Sequence, residues 1–296
     1  MTEICGVAPA TMSTSDAPAA PQPSIPVGPL AEADAAQFHD SGYLPLPAFL
    51  SDAFVDELRE EVDVWVDSGL RAASIACTKA SSLEPPPVME IDMDAHGRLA
   101  SHPPLLAILA QLLGPDFAFH HMHSDRHSPG MTSKEWHHDY EQSPQRSRSH
   151  VMVHVLHYLS GLNGTVGDLV VLPGSQHIVA EKNALAWMGT KRVAGEVRID
   201  DLPPGSTVLV NSALFHARRA RPGGDCDRYF VDASYCQCGV QWPVVKPFWR
   251  KMLAEARALG LDRDEFPMLF DERSFCAPPT LWPAATADGP GQPRPT

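Results

Sequence analysis

The stretch Val151-Met152-Val153-His154-Val155-Leu156-His157-Tyr158-Leu159 decides the class of fold. Branched and aromatic side chains dominate it, and such residues suit a pleated strand better than a helix. Upstream, Phe117 to Ser124 and Trp136 to Tyr140 read as strands on either side of a Ser128-Pro129-Gly130 turn. Downstream, Asp168 to Leu172 enters a Pro173-Gly174-Ser175 turn, and Ser206 to His216 and Tyr229 to Tyr235 read as further strands. Short strands spaced by Gly and Pro turns predict an antiparallel barrel or sandwich, mainly β, over about residues 115–236.

Helices flank this core. Residues 31–40 predict a short acidic helix that ends at Ser41-Gly42, followed by a short strand, Tyr43 to Leu46. Ser51 is a suitable N-cap for a helix carrying Phe54, Val55, Leu58, Val62 and Val66 at helical spacing. Ser101, with Pro103 just inside, starts another helix from Leu105 to Leu113 that Gly114 stops. Residues 246–259 predict a late amphipathic helix. The Ala/Pro-rich residues 1–29 and the similar residues 277–296 are expected to be disordered, because they cannot bury enough surface to offset the entropy of ordering. Residues 30–276 are expected to form a single domain, and no internal repeat is evident.

The net charge of −13 argues against nucleic acid or an anionic membrane as the main partner. No apolar run approaches the length of a membrane span, and no secretory signal is visible, so a cytoplasmic protein is expected. Cys5, Cys77, Cys226, Cys236, Cys238 and Cys276 show no disulfide or metal spacing and are expected to be reduced thiols.

Chemistry concentrates at Trp136-His137-His138-Asp139 and at His216, 77 residues beyond Asp139. Side chains at i and i+2 of a strand share a face, so His137 and Asp139 can grip one ion while His138 points away. Two imidazoles and a carboxylate on one face of an octahedral Fe(II) leave the opposite positions open for a chelating co-substrate and dioxygen. Taken alone the H-x-D spacing is weak: about one occurrence is expected by chance in a His-rich chain. A second, His123-Ser124-Asp125, is present and is read as that chance match, with His123 at most lining the cavity wall. His216 ends an apolar run from Val208. His154 and His157 have opposite strand parity, so at most one of them faces a cavity, and His177 is expected in solvent at a turn.

Taken together, the motifs resemble the phytanoyl-CoA dioxygenase family of Fe(II)/2-oxoglutarate oxygenases. The matching pieces are Phe38-His39-Asp40-Ser41-Gly42-Tyr43, Pro129-Gly130 with Trp136 to Asp139, Gly167 with Leu172-Pro173-Gly174-Ser175-Gln176-His177, and His216 with Arg228. They span about residues 36–236 in the family's order. The resemblance implies a double-stranded β-helix (jelly-roll, cupin-like) core, His137, Asp139 and His216 as the iron ligands, and 2-oxoglutarate as co-substrate. It also implies a co-substrate arginine shortly after the distal histidine. Arg228 lies twelve residues on; its guanidinium pairs bidentately with a carboxylate and stays charged inside a barrel. Among its competitors, Arg218 shares the strand parity of His216, and Arg219 should face outward.

Family members that halogenate carry Gly or Ala where this chain has Asp139, so the resemblance implies hydroxylation or a related oxidation of a small molecule. Tyr140, Gln142, Arg146 and Arg148 are expected on a loop at the mouth of the barrel, where substrates are selected or charges are simply solvated. Two rival readings are a cupin-like metal enzyme that does not use 2-oxoglutarate and a non-catalytic ligand-binding jelly roll. A serine hydrolase built on Ser175-Gln176-His177 is a poor fit, because Leu172-Pro173-Gly174-Ser175 is not a nucleophile elbow.

Overall fold

The computed structural model describes residues 29–129, 133–140, 148–221, 223–224 and 226–277. The expected tails, apart from residues 29 and 277, and Gly130, Gln142 and Arg146 lie outside the described residues.

Helix α1 (Glu32–Ser41) closes on Gly42, whose φ of +83° turns the chain into strand β1 (Tyr43–Leu46). Glycine is required there, since a Cβ would sit 2.5 Å from Gln176 Oε1 and 2.8 Å from Leu214 Cδ1. Ser51 caps helix α2 (Asp52–Asp67) by accepting the Phe54 N–H. Helices α3 (Leu70–Lys79) and α4 (Asp94–Ala100) follow, unanticipated from the sequence. Helix α5 (Pro103–Leu113) stops at Gly114 as expected, but its N-cap is His102, and Ser101 instead ends α4.

The β region then runs through β2 (Phe117–His127), β3 (Lys134–His137), β4 (Met152–Tyr158), β5 (Asp168–Val171) and β6 (Val197–Ile199). It continues with β7 (Ser206–Asn211), β8 (His216–Arg219), β9 (Arg228–Gln237) and β10 (Trp242–Pro243). Helix α6 (Trp249–Ala258) and β11 (Phe275–Cys276) complete the described chain. A five-stranded sheet in the order β1-β7-β4-β9-β2 faces a four-stranded sheet in the order β3-β8-β5-β6; β10 and β11 form a small parallel pair. All pairs in the two large sheets are antiparallel. This is the expected antiparallel jelly-roll type of core with flanking helices.

One expected strand is two. The pattern from Ser206 to His216 predicts a single run, but the chain turns after Asn211 and changes sheets. Asn211 makes the turn with its own groups: its carbonyl accepts Leu214 N–H at 2.8 Å and its side-chain Oδ1 accepts Ala213 N–H at 3.0 Å. His216 therefore opens β8 rather than closing β7.

Strand parity sorts the core. On β7, Val208 and Val210 point between the sheets with Tyr158, Leu169 and Leu214, whereas Leu209 points to the helical layer. On β4, Val153 and Val155 join Leu105, Leu109 and Met252 beneath the helices. The outer face of the smaller sheet is covered separately, by Trp136, Val170, Phe215 and Ala217 under the 180–193 loop. No helix among the described residues is long and apolar enough to cross a membrane, and Cys77, Cys236, Cys238 and Cys276 are free thiols.

Candidate metal centre

His137 is the last residue of β3 and His216 the first of β8, and the two are directly paired in the antiparallel register. Asp139 lies just beyond β3, where its backbone N–H donates to Ser212 O at 2.7 Å. That bond ties the carboxylate's segment to the turn that launches His216. Nε2 of His137 and Nε2 of His216 lie 3.7 Å and 3.3 Å from Asp139 Oδ2. One ligand atom from each of the three residues falls within 4.8 Å of the others.

The donor set suits a divalent transition metal. Adjacent donors on an octahedron with bonds of about 2.1 Å stand roughly 3 Å apart, close to the separations here. Each imidazole donates Nδ1–H to a backbone carbonyl two residues earlier: His137 to Glu135 O at 2.7 Å and His216 to Leu214 O at 3.0 Å. Both rings thus turn Nε2 toward Asp139, as metal-binding histidines do when their other nitrogen is hydrogen-bonded. Burial, with His216 close by, pushes the His137 pKa down to about 4, so its ring is neutral and a free donor. Burial alone would raise the Asp139 carboxyl, but His216, His154 and His137 hold it well below the usual carboxylate range. Lys182 contacts the other carboxylate oxygen, Oδ1, at 3.4 Å.

His138 turns away, as its parity requires. Its ring packs on Phe215, donates Nε2–H to Ala180 O at 3.0 Å and accepts Tyr140 N–H at Nδ1. The His138 N–H donates to Lys182 O and the Trp136 N–H to Gly189 O, which fastens the 180–191 loop along β3 and brings Lys182 to Asp139.

A cavity of about 280 Å³ opens in front of the cluster, between the two sheets. Alternation along the strands decides its walls: His154, Leu156 and Tyr158 from β4, Arg228, Phe230 and Asp232 from β9, and His216 and Arg218 from β8. Arg228 is 5% exposed, stacked 5.0 Å over the Tyr158 ring and 5.4 Å over Phe230. Its Nε and Nη1 have no hydrogen-bond acceptor among the described residues. Burial pushes its pKa down, yet a guanidinium keeps its proton, so this is a buried cation with open donors facing the cluster's cavity. A carboxylate is the group that fits it.

The other sequence candidates sort differently. Arg218 lines the cavity and its guanidinium meets His127. Arg219 faces outward into a bidentate pair with Glu196, 2.7 Å for each bond. His123 and His154 line the cavity, whereas His157 is buried on the opposite face of β4 against Thr207 Oγ1 at 2.7 Å. His177 is exposed. The second H-x-D is no loose surface match: Asp125 is buried near the end of β2, accepting from Arg71 at 2.5 Å and His127 at 2.8 Å. Tyr140 and Arg148 correct the mouth-loop expectation. Tyr140 is buried and donates to His150 O. Arg148 stacks on it and donates to the carbonyls of Gln176, Ala213 and Ala180 at 3.1–3.3 Å. Both pack inward because three loops there leave carbonyls needing a donor.

Sequence reasoning missed Asp232 and Lys182. Asp232 was within reach, since it shares the parity of Arg228 on β9; Lys182 sits in a loop whose path no local pattern announces.

Similar structures exist. EctD from S. alaskensis, solved with 2-oxoglutarate and 5-hydroxyectoine, is 21% identical, with 75% of this chain and 81% of that chain covered at a TM-score of 0.58. HygX from Streptomyces hygroscopicus, with nickel and 2-oxoglutarate bound, is 17% identical over 73% and 90% of the two chains, with a TM-score of 0.54. The epimerase SnoN, in complex with Fe3+, alpha ketoglutarate and nogalamycin RO, is 18% identical over 70% and 83%, with a TM-score of 0.51. At these identities the likeness is one of fold. No curated protein matches the sequence. The profile of phytanoyl-CoA dioxygenase (PhyH) matches residues 38–222, more than half of the sequence and inclusive of His137, Asp139 and His216. The chain therefore belongs to the phytanoyl-CoA dioxygenase family.

Proposed function

We propose that the chain is a non-haem oxygenase that holds one Fe(II) with His137, Asp139 and His216 and binds 2-oxoglutarate with Arg228 against its distal carboxylate. Its reaction is hydroxylation of a C–H bond in a small organic molecule. Iron and dioxygen supply the oxidising power: one oxygen atom enters the C–H bond, and 2-oxoglutarate takes the other as it becomes succinate and carbon dioxide. The observation that carries this reading is the meeting, in one cavity, of a two-imidazole, one-carboxylate cluster and a buried guanidinium with unfilled donors. Solved relatives of this fold hold 2-oxoglutarate with nickel or Fe3+, which supports the same pairing here.

The protein's own part is placement. His137 and His216 present nitrogens fixed by their Nδ1–H bonds to backbone carbonyls, and Asp139 supplies the negative charge. Arg228 gives a carboxylate a salt bridge in a site walled by Tyr158 and Phe230, where water competes poorly. Leu156, Leu169 and Val210 give the cavity an apolar side beside the reacting centre. We place the activity in the cytoplasm and read residues 30–276 as one oxygenase domain.

Incubation with Fe(II), 2-oxoglutarate and air should release succinate slowly even without a primary substrate, and Asp139→Ala should abolish that release. Failure of the wild-type protein to bind or turn over 2-oxoglutarate would remove this reading in favour of a metal enzyme with a different co-substrate.

A further inference from the structure

Past Asp139 the cavity continues into a second compartment of about 410 Å³, which shares His123, Asp139, His154 and Asp232 with the first. Three lysines, Lys79, Lys182 and Lys246, line it with two carboxylates, Asp139 and Asp232, and a third carboxylate, Glu90, pairs with Lys246. Both lining carboxylates are already engaged. Asp139 faces the metal cluster and Lys182, and Asp232 already accepts from His154 Nδ1 at 2.8 Å and from Ser234 Oγ at 3.2 Å.

Lys246 is the buried member of the set, 8% exposed. Its ammonium reaches Ser74 Oγ and Glu90 Oε1, both at 3.3 Å. An ammonium carries three N–H donors, so these two acceptors leave one for an occupant. The adjacent His121 and His123 are both held neutral, chiefly by burial, so the cationic donor at this end is Lys246, paired with Glu90. Ile75 and Val245 add an apolar strip to the wall.

We propose that this compartment is the substrate subsite and that it takes a carboxylate-bearing small molecule, anchored by Lys246 with its apolar body laid toward the metal cluster. A single remaining ammonium donor suits a monoanion; a phosphate dianion calls for more donors than this end offers. The proposal rests on the reading of the metal centre given above, in which the Asp139 carboxylate is an iron ligand.

The test uses the full chain loaded with Ni(II) and saturating 2-oxoglutarate, so that Arg228 is filled before any probe is added. The probes are benzoate, phenylacetate, cinnamate and hexanoate, each beside its primary amide, with binding read by ligand-observed NMR. The acids should bind at least about tenfold more tightly than their amides. Lys246→Met alone would strand the buried Glu90, so the variant of choice is Lys246→Met with Glu90→Gln, which removes both charges of the pair. It should melt cooperatively, keep its 2-oxoglutarate affinity and lose the preference for acids. Equal binding of acids and amides, binding of neither, or a preference that survives in the double variant overturns the proposal while the metal reading stands. A wild-type protein that takes up neither Ni(II) nor 2-oxoglutarate overturns both.

Discussion

His137 and His216 face each other across the β3–β8 pair with ring centroids 4.4 Å apart, and each ring is held by the carbonyl of the residue two positions before it. Two strands thus deliver two identically braced imidazoles to one point, and Asp139, hooked to Ser212 O, completes the set. A metal arriving there meets donors that are already oriented.

Removal of one of these donors should therefore cost binding rather than folding. His216→Ala is expected to weaken Fe(II) or Ni(II) affinity at least about 100-fold, roughly 2.7 kcal/mol. Anaerobic titration calorimetry measures it. A variant that keeps wild-type affinity would take His216 out of the ligand set.

Arg228 should separate stability from binding. The guanidinium is buried with two unfilled donors, so Arg228→Met should leave the co-substrate-free protein as stable or raise its Tm by a few degrees. The same change should weaken 2-oxoglutarate binding by about 100-fold, since a charge-assisted pair is lost. A marked fall in Tm, with 2-oxoglutarate affinity unchanged, would show instead that Arg228 serves the fold.

Acid sensitivity should trace in part to His157. Burial pushes its pKa down to about 3 from the ordinary value of 6.5, so the unfolded chain binds a proton that the folded chain refuses. Stability consequently rises with pH across that window, is full above it, and is lost as pH falls. Between about pH 7.5 and 5.5 this one group should cost about 1.4 kcal/mol. His157→Gln should flatten the pH dependence of urea stability by that amount; an unchanged slope would mean the folded state accommodates the charge.

Arg148 should prove structural. Arg148→Ala leaves the carbonyls of Gln176, Ala213 and Ala180 without that donor and should cost about 2 kcal/mol in urea unfolding. Metal and 2-oxoglutarate affinities should stay within roughly twofold of wild type, where a residue in the binding machinery would shift them by far more.

Much of this fold is legible in local sequence. The apolar runs at β4 and β9, the Ser51 cap and the Gly114 stop all state their structure locally, and i,i+2 parity correctly turns His138 and Arg219 away from the cavity. Legibility fails where tertiary contacts decide. The 206–216 run has no Gly or Pro, so only the Asn211 turn divides it. Helix α3 starts after Gly69 with little apolar period. Arg148 reads as a mouth residue because nothing in its own neighbours announces three carbonyls arriving from residues 176, 180 and 213. Spacing alone does not separate His137-His138-Asp139 from His123-Ser124-Asp125; the family context does, as it does for Arg228, whereas Lys182 depends on a loop pinned by backbone bonds to β3.

The central claim, that the cluster and Arg228 hold metal and co-substrate together, is tested most directly by visible absorption. Fe(II)-loaded protein under nitrogen should develop a weak visible band when 2-oxoglutarate is added. The band should be absent in Asp139→Ala, and in Arg228→Met it should need at least about tenfold more 2-oxoglutarate. An iron-loaded wild-type protein that shows no band at any 2-oxoglutarate concentration would contradict the account.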